Sequence, residues 1–164
     1  MIRLRTATLQ DLSLLQHWDN QSHVIASDPD DDWQWEKELQ RNPPWREQLI
    51  AELNGRPIGF IQIIDPALEE SHYWGDVPNH LRAIDIWIGE SVDLGKGYGT
   101  TMMQLAFERC FADENVTAII IDPLDSNVKA HRFYERLGFK FIKNKKFHDS
   151  ECKVYQLDRA VWNS

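Results

Sequence analysis

Asp85 is the side chain with most chemistry to offer. It stands mid-strand in Ile84-Asp85-Ile86-Trp87-Ile88, where apolar neighbours leave a carboxylate poorly solvated. An amine must shed a proton before it attacks a carbonyl, and a model alkylamine holds that proton with a pKa of about 10.4. A carboxylate beside it attracts the ammonium and can then take the proton, directly or through water. The competing reading is a structural ion pair between Asp85 and a neighbour such as Arg82. Asp122 closes the apolar run Val116 to Ile121 just before Pro123, at a strand end of the kind where open α/β sheets gather ligand groups. A turn or helix-capping role explains Asp122 equally well. An ammonium–carboxylate contact gives about 4 kcal/mol at roughly 4 Å with an effective dielectric near 20. On an exposed surface it gives about 1 kcal/mol or less, so such carboxylates matter only in a partly dry cleft.

A second chemical feature is the run Leu94-Gly95-Lys96-Gly97-Tyr98-Gly99-Thr100. Small residues at a strand-to-helix turn let backbone N–H groups approach an anion, with the helix dipole adding to the attraction. Two phosphate readers are excluded. A Walker A loop needs glycine where Glu90 stands and Ser or Thr where Gly97 follows Lys96, and a dinucleotide fingerprint needs glycine where Thr100 stands. What remains, Gly95-x-Gly97-x-Gly99, is either a different anion cradle or an ordinary turn. His17, His23, His72, His80, His131 and His148 show no metal-ligand spacing, so no metal is expected. Cys110 lies on the apolar face of a helix and reads as packing. No Ser or Cys motif suggests an acyl-enzyme.

The elements that must carry these residues follow from periodicity. Ile2 and Leu4 alternate with Arg3 and Arg5 as a strand. Thr8 and Asp11 start a helix that places Leu12, Leu15 and Trp18 on one face. The acidic stretch Asp28 to Asp32 leads into a short helix bearing Trp33, Trp35 and Leu39. Leu49 to Leu53, Asn54-Gly55 and Ile58 to Ile61 form a hairpin pattern, because Asn-Gly accepts the positive φ of a two-residue turn. Ile84 to Ile88 is a strand, and the helix after the glycine loop aligns Met103, Ala106, Phe107, Cys110 and Phe111. Val116 to Ile121 reads as a strand buried on both faces. A helix with Ala130, Phe133, Tyr134 and Leu137 on one side stops at Gly138, and strands around Phe139–Phe147 and Lys153–Leu157 close the chain. Strand, glycine turn, helix and buried strand make a βαβ unit. The expected fold is mixed α/β (α+β): one domain over residues 1–164 with a central mixed sheet flanked by helices on both faces.

Composition limits the partners. The chain has 164 residues, 42% hydrophobic and 27% charged, enough for one ordinary core. Eighteen Lys+Arg against 26 Asp+Glu give a formal net charge of −8, which argues against nucleic acid and suits a cationic partner. No run of about 18 apolar residues suggests a membrane span. The N-terminus reads as a strand and not as a signal peptide, and two cysteines make no disulfide framework, so a reducing cytoplasm is the expected setting.

Downstream of the loop, Asn127-Val128-Lys129-Ala130-His131-Arg132-Phe133-Tyr134-Glu135-Arg136-Leu137-Gly138-Phe139 carries N-x-x-A-x-x-x-Y-x-x-x-G-F. With the glycine loop, this resembles the GNAT superfamily of acyl-CoA-dependent N-acyltransferases across essentially the whole chain. The resemblance implies acetyl-CoA as cosubstrate, its pyrophosphate on the amides of Gly95, Lys96, Gly97, Tyr98, Gly99 and Thr100. The pantetheine arm would lie beside Trp87 and Ile88, with Asn127 and Ala130 near it and Tyr134 as the acid at the sulfur. A core tyrosine is the other reading of Tyr134. Leu94 departs from the pattern, standing where the family commonly has Gln or Arg.

Several segments are more narrowly similar to aminoglycoside 6'-N-acetyltransferases: Arg82-Ala83-Ile84-Asp85, Ile121-Asp122-Pro123 before Ser126-Asn127, Tyr73-Trp74-Gly75-Asp76, Asn20-Gln21-Ser22-His23 and His148-Asp149. That similarity implies Asp85 as general base and Trp74, Asp76, Asp85, Asp122 and Asp149 facing the antibiotic. The family's tryptophan pair does not align cleanly with this chain, where the region reads Ser27-Asp28-Pro29-Asp30-Asp31-Asp32-Trp33. The expected activity is direct acetyl transfer to the 6'-amine, by a monomer or homodimer. Two rivals are the same chemistry on another cationic amine (a polyamine, a siderophore precursor or a protein N-terminus) and a non-catalytic acyl-CoA sensor.

Overall fold

The computed structural model describes all 164 residues. Its strands are β1 (Ile2–Thr6), β2 (Arg46–Leu53), β3 (Arg56–Ile64), β4 (Leu81–Ile88), β5 (Ala118–Ile121), β6 (Lys140–Phe147) and β7 (Ser150–Asp158). Its helices are α1 (Leu12–Asp19), α2 (Ser22–Ser27), α3 (Trp35–Glu38), α4 (Tyr98–Phe111), α5 (Val128–Arg136) and α6 (Arg159–Trp162). The strands form one mixed sheet in the order β1-β2-β3-β4-β5-β7-β6. Residues group into two compact units: Met1–Ile63 with Asp85–Ala106, and Ile64–Ile84 with Phe107–Ser164.

In the first unit β1 runs antiparallel to β2, from Ile2 opposite Leu53 to Thr6 opposite Leu49. Asn54 and Gly55 turn β2 into β3 with φ of 51° and 87°, the left-handed pair that the hairpin pattern requires. Trp18, Leu15, Val24, Trp35 and Leu39 from α1–α3 and its flank pack with Ile50, Phe60 and Trp87 of the strands. Neighbouring strand residues point to opposite faces. A side chain on Gly59, next to Phe60, would strike Met102 of α4 at 2.7 Å, so α4 covers the face opposite α1–α3. Burying a side chain as large as Trp18 contributes roughly 2–3 kcal/mol. Arg5 locks the edge, donating to both oxygens of Asp11 at 2.8 and 2.9 Å and to Glu52 at 3.0 Å. Burial works against the Asp11 charge, but Arg5 and the Thr8 amide outweigh it and hold the carboxyl below its usual range.

In the second unit β4 and β5 are parallel, Leu81 opposite Ala118, as a βαβ unit demands. β7 is antiparallel to both β5 and β6. α5 ends at Arg136 and is closed off at Gly138, where the amides of Gly138 and Phe139 return to the carbonyls of Glu135 and Tyr134. The helix packs on β7 through His131, whose ring lies 5.9 Å from Tyr155, and through the Tyr155 hydroxyl, which donates to Glu135 at 2.9 Å. Burial and the neighbouring Glu135 push the Tyr155 hydroxyl up to about 12. Arg159 of α6 donates to the carbonyls of Val116 and Asp113 at 2.8 and 2.7 Å. β6 ends the strand order, with Lys140, Phe141, Ile142, Lys143 and Lys146 exposed.

Candidate active site

Within the first unit Asp85 is half-buried on β4, and Arg82 does not pair with it. Arg82 donates instead to Asp65 at 3.3 Å, and Asp113 lies 3.5 Å from it. The partner of Asp85 is neutral: Gln62 of β3 donates its amide to the carboxylate at 3.1 Å. Burial, reinforced by the negative field of Asp31, pushes the Asp85 carboxyl up to about 6 in spite of that hydrogen bond. A carboxylate that titrates near neutrality is a competent proton acceptor. Asp31 brings the acidic 28–32 segment into the electrostatics of Asp85, although Asp30, Asp31 and Asp32 themselves are exposed. The segment leads to Trp33, which stacks on Trp35 with centroids 5.0 Å apart, and Trp35 donates to Asp19 at 2.6 Å. Burial, with Asp31 and Asp32 nearby, raises the Asp19 carboxyl even though it accepts from Trp35.

The end of β4 is pinned by two histidines from the first helices. His23 meets the Ile88 carbonyl at 2.7 Å, and His17 meets Glu90 at 2.8 Å. The Trp87 ring is buried and stacks on Phe60 at 4.5 Å, its indole N–H without a hydrogen-bond partner. Beyond β4 a short 3-10 turn ends at buried Asp93, which accepts from both terminal nitrogens of Arg56 at 2.9 and 3.0 Å. That pairing holds the Asp93 carboxyl below its ordinary value and anchors the chain entering the glycine loop. Gly95 and Gly97 have φ of 72° and 80°, and a Cβ built on either meets nothing within 4 Å. Their conformation is one that side-chain-bearing residues rarely adopt, and the space beside them is open. Lys96 is exposed, while Tyr98, Gly99 and Thr100 form the half-buried first turn of α4. This geometry fits an anion held on backbone amides. Leu94 is 44% exposed beside it.

Within the second unit Asp122 lies just past β5 and accepts the Tyr73 hydroxyl at 2.5 Å. Tyr73 stacks on Phe147 with centroids 4.6 Å apart and rings 9° from parallel, and His148 lies 5.7 Å away. Asp122 and the His148-Asp149 turn therefore share one aromatic platform, with Asp149 exposed in the turn. Trp74 is buried beneath that platform, its ring edge-on to Phe147 at 5.0 Å, and Lys145 donates to its carbonyl at 3.1 Å. Asp76 is exposed in the same loop. Glu69 shapes that loop by accepting the amides of Ser71 and Tyr73 and the Ser71 hydroxyl. Burial opposes its charge, yet those donors hold the carboxyl below its usual value. Asn127 caps α5 by accepting the Ala130 amide at 3.2 Å. Tyr134 is buried on α5, 5.6 Å from the Phe139 ring.

Gln48, Gln62 and the Arg56–Asp93 pair have no signal in the sequence, whereas Tyr73 and His23 lie within the similar segments Tyr73-Trp74-Gly75-Asp76 and Asn20-Gln21-Ser22-His23.

A family model described as an acetyltransferase (GNAT) domain matches residues 7–147. The chain belongs to that family. As a GNAT acetyltransferase it uses acetyl-CoA. Aminoglycoside N(6')-acetyltransferase type 1 of Klebsiella pneumoniae is 32% identical over 153 residues, covering 85% of this chain and 74% of that protein. A kanamycin resistance protein of Rhizobium radiobacter is 38% identical over 74 residues, 44% of this chain and 68% of that one. A crystal structure of aminoglycoside acetyltransferase AAC(6')-Ib with coenzyme A and kanamycin superposes with a TM-score of 0.88 at 28% identity, over 99% of this chain and 98% of the other. No helix of this chain is long and apolar enough to cross a membrane.

Proposed function

We propose that this acetyltransferase transfers the acetyl group of acetyl-CoA to the 6'-amine of an aminoglycoside, directly, within a ternary complex. The observation that carries the reading is Asp85: a half-buried carboxylate on β4, partnered by a neutral amide and raised toward neutrality. Similarity to enzymes that bear the aminoglycoside name supports the choice of amine. The formal charge of −8, with Asp31 near Asp85 and Asp122 on its aromatic platform, suits a polycationic acceptor.

In this mechanism Asp85 attracts the substrate ammonium and accepts its proton as the free amine attacks. Acetyl-CoA supplies an activated thioester, so a C–N bond forms while the C–S bond breaks. Tyr134 donates its hydroxyl proton to the departing sulfur and regains one from the second proton that the nitrogen sheds, through solvent, as the amide forms; a β4 backbone amide polarises the thioester carbonyl. Asn127 and the β4 backbone at Trp87 and Ile88 orient the pantetheine arm. Asp122 and the exposed Asp76 and Asp149 supply carboxylates for a cationic acceptor, whereas Trp74, buried against Phe147, supports their loop. Initial rates of thiol release with kanamycin and tobramycin test the proposal. Acetylation of the 6'-amine, located by NMR of the product, is expected; no turnover across a broad aminoglycoside panel rejects the substrate assignment.

A further inference from the structure

Three polar side chains cross three consecutive strands of the first unit. Gln48 of β2 donates its amide to the Gln62 carbonyl oxygen at 3.1 Å, and Gln62 of β3 donates its own amide to Asp85 of β4 at 3.1 Å. Gln48 is buried, in a strand otherwise given to Leu49, Ile50 and Ala51. A buried Gln48 beside a half-buried Gln62 needs a reason, because burying an amide costs free energy unless its groups are paired.

The chain has a direction. An amide side chain presents one acceptor and one donor group, and which end faces a neighbour is set by hydrogen bonding. Because Gln48 occupies the Gln62 oxygen, the Gln62 nitrogen is turned to Asp85. Were Gln62 reversed, its oxygen would face the carboxylate and repel it. We infer that Gln48 and Gln62 form a positioning relay that holds the Asp85 carboxylate in one orientation and keeps it ionisable for proton abstraction. The relay acts through Asp85 and rests on the base role proposed above.

The charged surroundings leave this work to the glutamines. The 28–32 segment brings Asp31, whose field opposes ionisation of Asp85. On β3 the cation is Arg56, committed to Asp93; on β2 the cation is Arg46, committed to Glu38 at 2.6 Å. On β4 itself Arg82 serves Asp65. A neutral donor stabilises the carboxylate without cancelling its charge, so Asp85 can still attract an ammonium ion. An arginine at the position of Gln62 would neutralise the base.

The test uses Gln62→Met and Gln48→Met in the full chain, measuring kcat/KM against pH for acetyl transfer and following the Asp85 carboxyl by 13C NMR with Asp85→Asn as the assignment control. For Gln62→Met, both the acid limb of kcat/KM and the carboxyl titration are expected to move up by about one pH unit or more, since a donor to the charged form is lost. Gln48→Met should move both in the same direction by less. A carboxyl titration that stays in place in both variants, or a loss of activity uniform across pH, overturns the relay and makes Gln62 a packing or substrate contact. The base assignment is judged separately: if Asp85→Asn keeps the wild-type acid limb, Asp85 is not the base, and the NMR titration still decides whether the glutamines control its ionisation.

Discussion

Replacing Asp85 by Asn should make the protein more stable and far less active. The carboxyl titrates at about 6 in the fold against 3.8 for the ordinary group. The native state therefore holds this proton more tightly than the unfolded chain, and stability falls as pH rises from about 4 to about 6 and stays lowered above. A displacement of about two pH units corresponds to about 3 kcal/mol, and because Asp85 is half-buried, solvent screening brings the expected figure to about 1–2 kcal/mol. Asn keeps an oxygen for the Gln62 amide and removes the charge. Urea unfolding at pH 4.5 and pH 8 reads the difference. The variant should gain little at pH 4.5 and about 1–2 kcal/mol at pH 8, equivalent to roughly 2–8 °C in Tm for a chain of this size. Its acetylation rate should fall by at least about a hundredfold with CoA affinity retained, the lower end of the range for a lost general base. An equal gain at both pH values, or no gain at pH 8, refutes the argument that burial of an ionised Asp85 costs stability.

Other outcomes follow from the same geometry. Gly97→Val forces a β-branched residue to φ of 80° and fills the open space beside the loop, so the KM for acetyl-CoA should rise at least about tenfold with the amine KM little changed. Calorimetric CoA binding checks this directly. Tyr134→Phe should lower kcat about tenfold without changing CoA affinity, because a thiol of pKa near 8.5 is already a fair leaving group; no loss, or complete loss, contradicts the acid role. Asp122→Asn should raise the aminoglycoside KM about fivefold to tenfold, more at low salt, as expected for one partly screened charge contact. Asp93→Ala releases Arg56 from the segment entering the glycine loop and should raise the KM for acetyl-CoA several-fold, measurable by initial rates at fixed amine.

What could be read ahead of the structure was what local spacing encodes. Asn54-Gly55 announced its hairpin, and Met103, Ala106, Phe107, Cys110 and Phe111 announced the buried face of α4; all five are buried. Asp85 stood out because an acid among isoleucines is chemically odd, and in the structure it accepts from Gln62 while Arg82 pairs with Asp65. Gln48 and Gln62 gave no warning, since they meet Asp85 only across strands and a glutamine in a strand has no signature of its own. α2 was also invisible: Ser22–Ser27 is too short for periodicity, and packing of Val24 into the aromatic core holds it. His131 lies buried on α5, bonded to the Leu124 carbonyl at 2.8 Å, where the apolar pattern had pointed to Ala130 and Phe133. The tyrosine of Tyr73-Trp74 carries the contact with Asp122, whereas the tryptophan is packed under it.

The outermost strand has a consequence for how the molecule behaves in a crowded solution. Four of the chain's eight lysines fall on β6, at 140, 143, 145 and 146, in a protein that is otherwise strongly acidic. An unpaired backbone edge invites another chain to dock along it, and Phe141 and Ile142, about half exposed there, add adhesive surface. Two such edges brought side by side would set lysine against lysine. The ammonium groups thus set charge repulsion along one of the two margins of the sheet, beside the two apolar side chains that face water there.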